Sequence, residues 1–276
     1  MVEIETREPV VEDGIKYWEE QPATYDGVLG GFGSGSLPRI ESLGSRQFLM
    51  HVCPDLCTVP SALRPLSPPP PPKYRIRALD VGAGIGRVTA DTLLHLVQDV
   101  VLVEPVEKLV RSALERAPSW KGIADRSKSI TVLQGTLQDL DPLRLYETTK
   151  HVGHAGFVHD CDSDGGSNTG FDVVWCQWCL MYMSDRDLVA FFRRCRESLR
   201  DERSIIVVKE NTGANGKGPD GEPTPLVYFD EDDSSVARSD LAWKALFEEA
   251  GLTLVHEQIQ HGLPPGLYAV HMYALR

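Results

Sequence analysis

The chain has 276 residues, 42% of them hydrophobic and 25% charged, which is the composition of a globular protein large enough to bury a sizeable core. Lys and Arg number 28 against 40 Asp and Glu, so the net charge is −12. That balance argues against general nucleic-acid binding, which needs a basic face, and suits a small-molecule site or a cationic partner.

No apolar run approaches the roughly 18 residues of a membrane span. The opening residues Met1 to Glu8 are acidic and mixed, unlike a secretory signal. Six cysteines are too few for a disulfide scaffold, so reduced thiols in a cytosolic or nuclear protein are expected.

Residues 53–73 hold Pro54, Pro60, Pro65 and the run Pro68 to Pro72. Such a run favours extended backbone and excludes helix, so a stiff exposed loop is expected. Residues 75–80 read as a strand. The sequence Leu79-Asp80-Val81-Gly82-Ala83-Gly84-Ile85-Gly86-Arg87 then makes a glycine-rich turn that opens a helix over 87–97. Such a turn lets a ligand approach the backbone at a helix N-terminus. A dinucleotide fingerprint, G-x-G-x-x-G, would want glycine at 87, where Arg stands. The spacing found, G-x-G-x-G, is the usual form in S-adenosyl-methionine-dependent methyltransferases.

A second strand covers 100–103 and ends at Glu104, whose carboxylate can accept from both hydroxyls of a ribose. A helix over 107–116 and a strand over 130–133 follow. Gly135-Thr136-Leu137-Gln138-Asp139 comes next and borders the adenine position in this fold, so Leu137 or Gln138 is a candidate contact. Residues 147–170, rich in Gly, His, Asp and Ser, read as a second exposed loop. Within it, His151, His154, His159 and Cys161 lack a partner turn for a metal site. The Asp160-x-Asp162-x-Asp164-Gly165 stretch lacks the Glu and the flanking helices of a calcium loop. No metal is expected.

A fourth strand covers 171–176, followed by Gln177-Trp178 at its carboxyl end, where ligands bind in open α/β sheets. Trp can stack on a cation such as a sulfonium. Cys176 and Cys179 have C-x-x-C spacing, weak evidence for metal or redox chemistry on its own. Leu188, Phe191, Phe192, Cys195 and Leu199 mark an amphipathic helix over 185–199. A fifth strand covers 204–209 and leads into Lys209-Glu210-Asn211. Residues 212–225 carry four glycines and three prolines and read as a third loop. Asp230 to Asp233, an acidic run before Ser234-Ser235, would suit a cationic substrate. A helix over 240–250 closes at Gly251, and strands over 253–260 and 268–275 end the chain. Strand and helix alternate throughout, which predicts a doubly wound, mostly parallel sheet of seven strands.

Several segments together resemble the α-N-terminal protein methyltransferases, which methylate the free amine of proteins starting Xaa-Pro-Lys or Xaa-Pro-Arg. They are Tyr17-Trp18, Asp26-Gly27-Val28-Leu29-Gly30-Gly31-Phe32-Gly33, Ser45-Arg46-Gln47-Phe48-Leu49, the Gly82–Arg87 turn, Gln177-Trp178, Arg193-Arg194-Cys195, Lys209-Glu210-Asn211, Asp233-Ser234-Ser235-Val236 and Tyr273-Ala274-Leu275-Arg276. The resemblance implies a seven-stranded, Rossmann-like class I S-adenosyl-methionine-dependent methyltransferase fold. A helical cap over residues 1–52 would cover the site, and the core would span 74–276 with insertions at 147–170 and 212–225.

It implies that Gly82, Gly84, Arg87, Glu104, Leu137, Gln138 and Gln177 line the cofactor, with Trp18 and Leu29 on the cap. It also implies that Trp178, Asn211, Asp230, Asp233, Ser235 and Tyr268 hold the substrate N-terminus. Asn211 would bond the peptide backbone, Asp230 would attract the basic third residue, and Asp233 would contact the α-amine. A monomer, resident in cytoplasm or nucleus, is expected. The sequence departs from the family in having Glu at 104 and 210, where Asp is usual. Met181-Tyr182-Met183 also replaces a usual Gly-His-Leu. Tyr182 therefore stands in the place of a histidine, and a phenol of pKa about 10 is a poor base. Asp233 is then the expected proton acceptor, with Tyr182 orienting the amine.

Overall fold

Short runs of Val, Ile and Leu build the centre of the sheet, because strands covered on both faces need apolar residues on both. A computed structural model describes residues 7–56, 74–158 and 170–276. The strands are β1 (Arg77–Val81), β2 (Asp99–Glu104), β3 (Ser129–Gln134), β4 (Lys150–Gly156), β5 (Val173–Gln177), β6 (Ile205–Gly213), β7 (Gly216–Lys217), β8 (Pro223–Thr224), β9 (Val227–Asp230), β10 (Ser235–Ser239), β11 (Leu254–Ile259) and β12 (Ala269–Leu275). The helices are α1 (Val11–Glu20), α2 (Tyr25–Val28), α3 (Leu37–Val52), α4 (Arg87–Asp91), α5 (Glu107–Arg116), α6 (Leu145–Thr148), α7 (Asp185–Glu197) and α8 (Asp240–Glu249).

The main sheet runs β11-β12-β6-β5-β1-β2-β3-β4. Within it, β3, β2, β1, β5 and β6 are parallel, and β12 lies antiparallel to β6. The seven predicted strands are all present. Three more join them, so the sheet has ten. β10 pairs parallel with the end of β6, and β9 pairs antiparallel with β10. The third addition is β4, antiparallel to β3 over Lys150–Gly156. It corrects the reading of 147–170 as a loop. Ladder bonding to β3 and the contact of Gly153 with Leu114 hold β4 despite its weak strand composition. His151 faces Tyr146, and His154 bonds Thr131 and the Phe157 carbonyl. Residues 159–169, with the remaining His, Cys and Asp positions weighed and set aside as metal ligands, lie outside the described residues, as do 57–73 and the proline run. The 212–225 stretch also carries structure, a small β7–β8 hairpin.

Alternation along the strands divides the core in two. Val81, Val103, Cys176, Val208 and Tyr273 face α7 and α8. Ala78, Leu102, Trp175, Val207 and Met272 face α3, α4 and α5. The Ser184 and Ser239 hydroxyls cap α7 and α8 by accepting from the Asp187 and Ala242 amides. The helix predicted over 87–97 stops at Asp91, because Thr92 leaves helical geometry (φ −122°, ψ −66°) and drops Leu93 and Leu94 into the core. Among the described residues, no helix is long and apolar enough to cross a membrane.

The N-terminal helices pack across the carboxyl ends of the strands. Ile15, Trp18, Tyr25 and Val28 meet Ile85, Val106 and Leu109. The Lys108 ammonium donates to the carbonyls of Glu19 and Gln21, closing the C-terminal end of α1. Tyr25 donates to the Asp91 carboxylate at 2.8 Å. The turn beneath them depends on Gly86, which sits at φ +77° and where a Cβ would stand 2.3 Å from the Trp120 ring and 3.2 Å from Leu102. Gly86→Ala therefore meets both backbone strain and a clash. We expect it to lower the unfolding free energy by about 1–3 kcal/mol, measured by urea denaturation.

Candidate active site

A cleft opens where β1, β2 and β5 end, beside the strand at which the sheet order reverses. Its floor is the turn from Gly82 to Ile85, its roof α1 with Gly14, Ile15 and Trp18, and its side walls carry Glu104, Leu137, Gln138, Gln177, Trp178 and Tyr182. The turn fits an adenosyl ligand. At Gly84, φ is +56°, and a Cβ there would point into the cleft with only Val28 near, at 4.0 Å. A ligand can lie against that bare backbone.

Glu104 is buried at the end of β2. Its two oxygens accept the Gly84 and Val106 amides, each at 3.0 Å. Burial outweighs these bonds and pushes the carboxyl up to about 7. Ribose hydroxyls donating to it would favour the charged form. Leu137 and Gln138 both line the cleft, and Gln138 also donates to the Tyr182 carbonyl at 3.1 Å. Arg194 fixes that segment from α7 through the carbonyls of Leu137, Gln138 and Leu140.

Gln177 and Arg87 share one anchor. Glu41 of α3, fully buried, accepts from the Arg87 guanidinium on one oxygen. Its other oxygen takes Gln177 Nε2 at 2.9 Å, Lys209 Nζ at 2.9 Å and the Ser45 hydroxyl at 2.8 Å. Burial alone would raise the Glu41 pKa, but Arg87 and Lys209 overcome it and hold the carboxyl well below the usual range. Sequence reasoning missed Glu41. The signal was there: it falls with Leu37, Ser45 and Phe48 on the buried face of α3.

Trp178 adopts φ +53°, strained for an aromatic residue. Its buried Nε1 has no partner among the described residues. Such an orphan donor at a cleft wall fits a ligand acceptor. Glu210 holds this corner by accepting the Cys179 and Leu180 amides at 2.9 Å each. Asp80, bonded by the Thr89 hydroxyl at 2.6 Å, is a further buried carboxyl in the wall. Burial pushes both Asp80 and Glu210 up to about 7.

Tyr182 connects the cleft to the acidic turn. Its hydroxyl donates to Asp233 at 2.8 Å, and Asp233 also accepts the Ser235 amide at 3.1 Å. Burial and Asp233 push the phenol pKa far up, so Tyr182 keeps its proton. The Tyr182 ring packs against Gly14 of α1, where any Cβ would stand 2.9 Å from it. The buried Ser234 hydroxyl accepts the Val10 amide, tying the acidic turn to the start of α1.

Of the predicted cofactor residues, Leu29 does not line the cleft; it is buried, and Val28 takes its place in the wall. Asn211, Asp230, Ser235 and Tyr268 lie outside the cleft lining. Asn211 is half-buried opposite Val270, Asp230 is exposed, and Tyr268 is 59% exposed. Cys176 and Cys179 are buried, and burial raises both thiols well above their ordinary value, so neither is poised for redox chemistry. Among the described residues, no group of three or more His, Cys, Asp or Glu is arranged to hold a metal ion.

A glycine turn after the first strand, an acid ending the second and an antiparallel β12 beside β6 together define a class I S-adenosyl-methionine-dependent methyltransferase. Residues 6–276 match the family described as AdoMet dependent proline di-methyltransferase, and the chain belongs to that family. It is 33% identical to the alpha N-terminal protein methyltransferase 1 of Schizosaccharomyces pombe, over 95% of this chain and 94% of that one. It is 32% identical to the human N-terminal Xaa-Pro-Lys N-methyltransferase 1, over 94% and 92%. Among solved structures it resembles a Leishmania major SAM-dependent methyltransferase, at a TM-score of 0.67 and 27% identity, covering 96% and 82% of the two chains.

Asp80, Glu104 and Glu210 each bind a proton more tightly folded than unfolded. Between their unfolded values near 4 and about 7, the folded state thus holds more protons, and these groups lower stability as pH rises. His95 and His271, with lowered pKa values, act in the opposite sense. Glu104→Gln should remove one share of the carboxyl trend. In urea melts at pH 5.5 and 7.5, the variant should gain stability relative to wild type at the higher pH.

Proposed function

We propose that this protein transfers methyl groups from S-adenosyl-methionine to the free α-amine of proteins beginning Xaa-Pro-Lys or Xaa-Pro-Arg. The Tyr182–Asp233 hydrogen bond carries the reading, because it joins the wall of the cofactor cleft to an acidic turn suited to an ammonium. The names of the relatives support the same substrate class.

The cofactor supplies an electrophilic methyl on a sulfonium. The chain must then deliver a neutral amine in line with it. An α-amine has a pKa of about 7.7–8.0, so roughly a tenth to a sixth is already neutral at pH 7. Positioning therefore matters more than basicity. Asp233 binds the incoming ammonium and takes its proton. Tyr182, which cannot act as a base, orients the amine by hydrogen bonding. Trp178 offers its unpartnered Nε1 to a peptide carbonyl. Asn211 bonds the peptide backbone, Asp230 attracts the basic third residue, and Ser235 and Tyr268 help to hold the substrate N-terminus. Gly84, Glu104, Leu137, Gln138, Gln177, Arg87 and Trp18 hold the cofactor.

Mass spectrometry of a Ser-Pro-Lys-initiated peptide with S-adenosyl-methionine should show added methyl masses, and its N-acetylated copy should show none. Methylation of a small amine alone would assign a different acceptor. Asp233→Asn should lower kcat by about tenfold, the gain from deprotonating an amine of which roughly a tenth to a sixth is already neutral, and should raise the peptide KM as the ammonium loses its anchor. Tyr182→Phe keeps the ring against Gly14 and loses only the hydroxyl, so kcat should fall by about tenfold, the value of one hydrogen bond to a charged group. Steady-state kinetics with saturating cofactor reads both.

A further inference from the structure

The buried lysine Lys209 lies outside the cleft lining, yet it is the second cation of the Glu41 cluster. Its Nζ is fully buried among four oxygens: Glu41 Oε1 at 2.9 Å, Ser45 Oγ at 2.8 Å, and the Glu41 carbonyl and Gln260 Oε1 at 3.2 Å each. All four accept, because the Ser45 hydrogen points to Glu41. An ammonium, with three donors and no acceptor, suits such a shell, one of its donors being shared between two of the oxygens.

The ion pairs in contact are Arg87 and Lys209 against one carboxylate, Glu41. Among these three groups, one positive charge is left over. Were Lys209 absent, Glu41 would neutralise Arg87 outright, and Arg87 is the member that lines the cleft. Asp80 also faces Arg87 from β1, but it is common to every variant considered below.

We propose that Lys209 is a positioning residue for cofactor recognition: by neutralising Glu41 it leaves the Arg87 charge available to the carboxylate of the cofactor's amino-acid arm. The proposal rests on the reading of the cleft as an S-adenosyl-methionine site. Glu41 orients Arg87 and Gln177, and Lys209 sets the net charge they present. Nothing in the proposal requires Lys209 to touch the ligand.

Two ligands separate this role from simple support of the fold. S-adenosylhomocysteine and methylthioadenosine share the adenosine and the thioether, but only the first carries the amino-acid arm. Calorimetric titration of the full chain gives the ratio of their affinities. Wild type should favour S-adenosylhomocysteine. Lys209→Met should lower that ratio by at least about tenfold, the effect of one charge no more than roughly 12 Å away at an effective dielectric of about 20. Its methylthioadenosine affinity should hold. Glu41→Gln combined with Lys209→Met removes an anion and a cation together, restores the surplus charge, and should recover most of the ratio. An unchanged ratio in Lys209→Met, an equal weakening of both ligands, or no recovery in the double variant would each overturn the proposal. A wild type that binds the two ligands equally would overturn the cofactor reading, and the proposal with it.

Discussion

A single buried carboxylate, Glu41, holds the N-terminal cap to the catalytic core. It comes from α3 and meets Arg87 at the start of α4, Gln177 at the end of β5 and Lys209 on β6. Three separate segments of the core, α4, β5 and β6, are thereby locked to one helix. Taking four polar side chains out of water is costly unless each is fully bonded. Here Trp175 satisfies the remaining Gln177 oxygen at 3.1 Å and Gln260 contributes to Lys209. The arrangement therefore specifies where α3 must sit more sharply than apolar packing alone could.

That placement decides the chemistry available above it. With α3 fixed, α1 and α2 lie over the glycine turn, and the cleft gains an apolar roof of Ile15, Trp18 and Val28. The acidic turn reaches the same space through the Tyr182–Asp233 hydrogen bond. Gly14 is what lets α1 come close enough, since the ring occupies the volume a side chain would need.

Much of this was legible in the sequence. Periodicity found every core strand, and the Gly82–Arg87 spacing distinguished the ligand class, because turn chemistry is local. Ladder pairing is not local, so β4, β9 and β10 were missed: Lys150–Gly156 has a polar, glycine-broken pattern that only β3 makes into a strand. The same limit applies to the site. Glu104 and Gln177 could be placed because they follow strands, whereas Asn211 and Tyr268 depended on resemblance alone. Leu29 was misplaced by one position, since the last turn of α2 turns Val28 inward and Leu29 away from the cleft. Glu41 looked like one acid among many until its helical neighbours Leu37, Ser45 and Phe48 were seen to be buried.

The Glu41 cluster also orders events in time. Glu41 and Lys209 stand 168 residues apart in the chain, and Gln260 a further 51 beyond Lys209. Loop-closure entropy for contacts of such span must be met before they return any stabilisation. During synthesis α3 emerges before Arg87, Gln177 and Lys209, and the shell of Lys209 is completed only once Gln260 has been made. The helix is thus made well before it can be locked, and a nascent chain halted before β6 carries Glu41 without the ammonium that it bonds in the folded state.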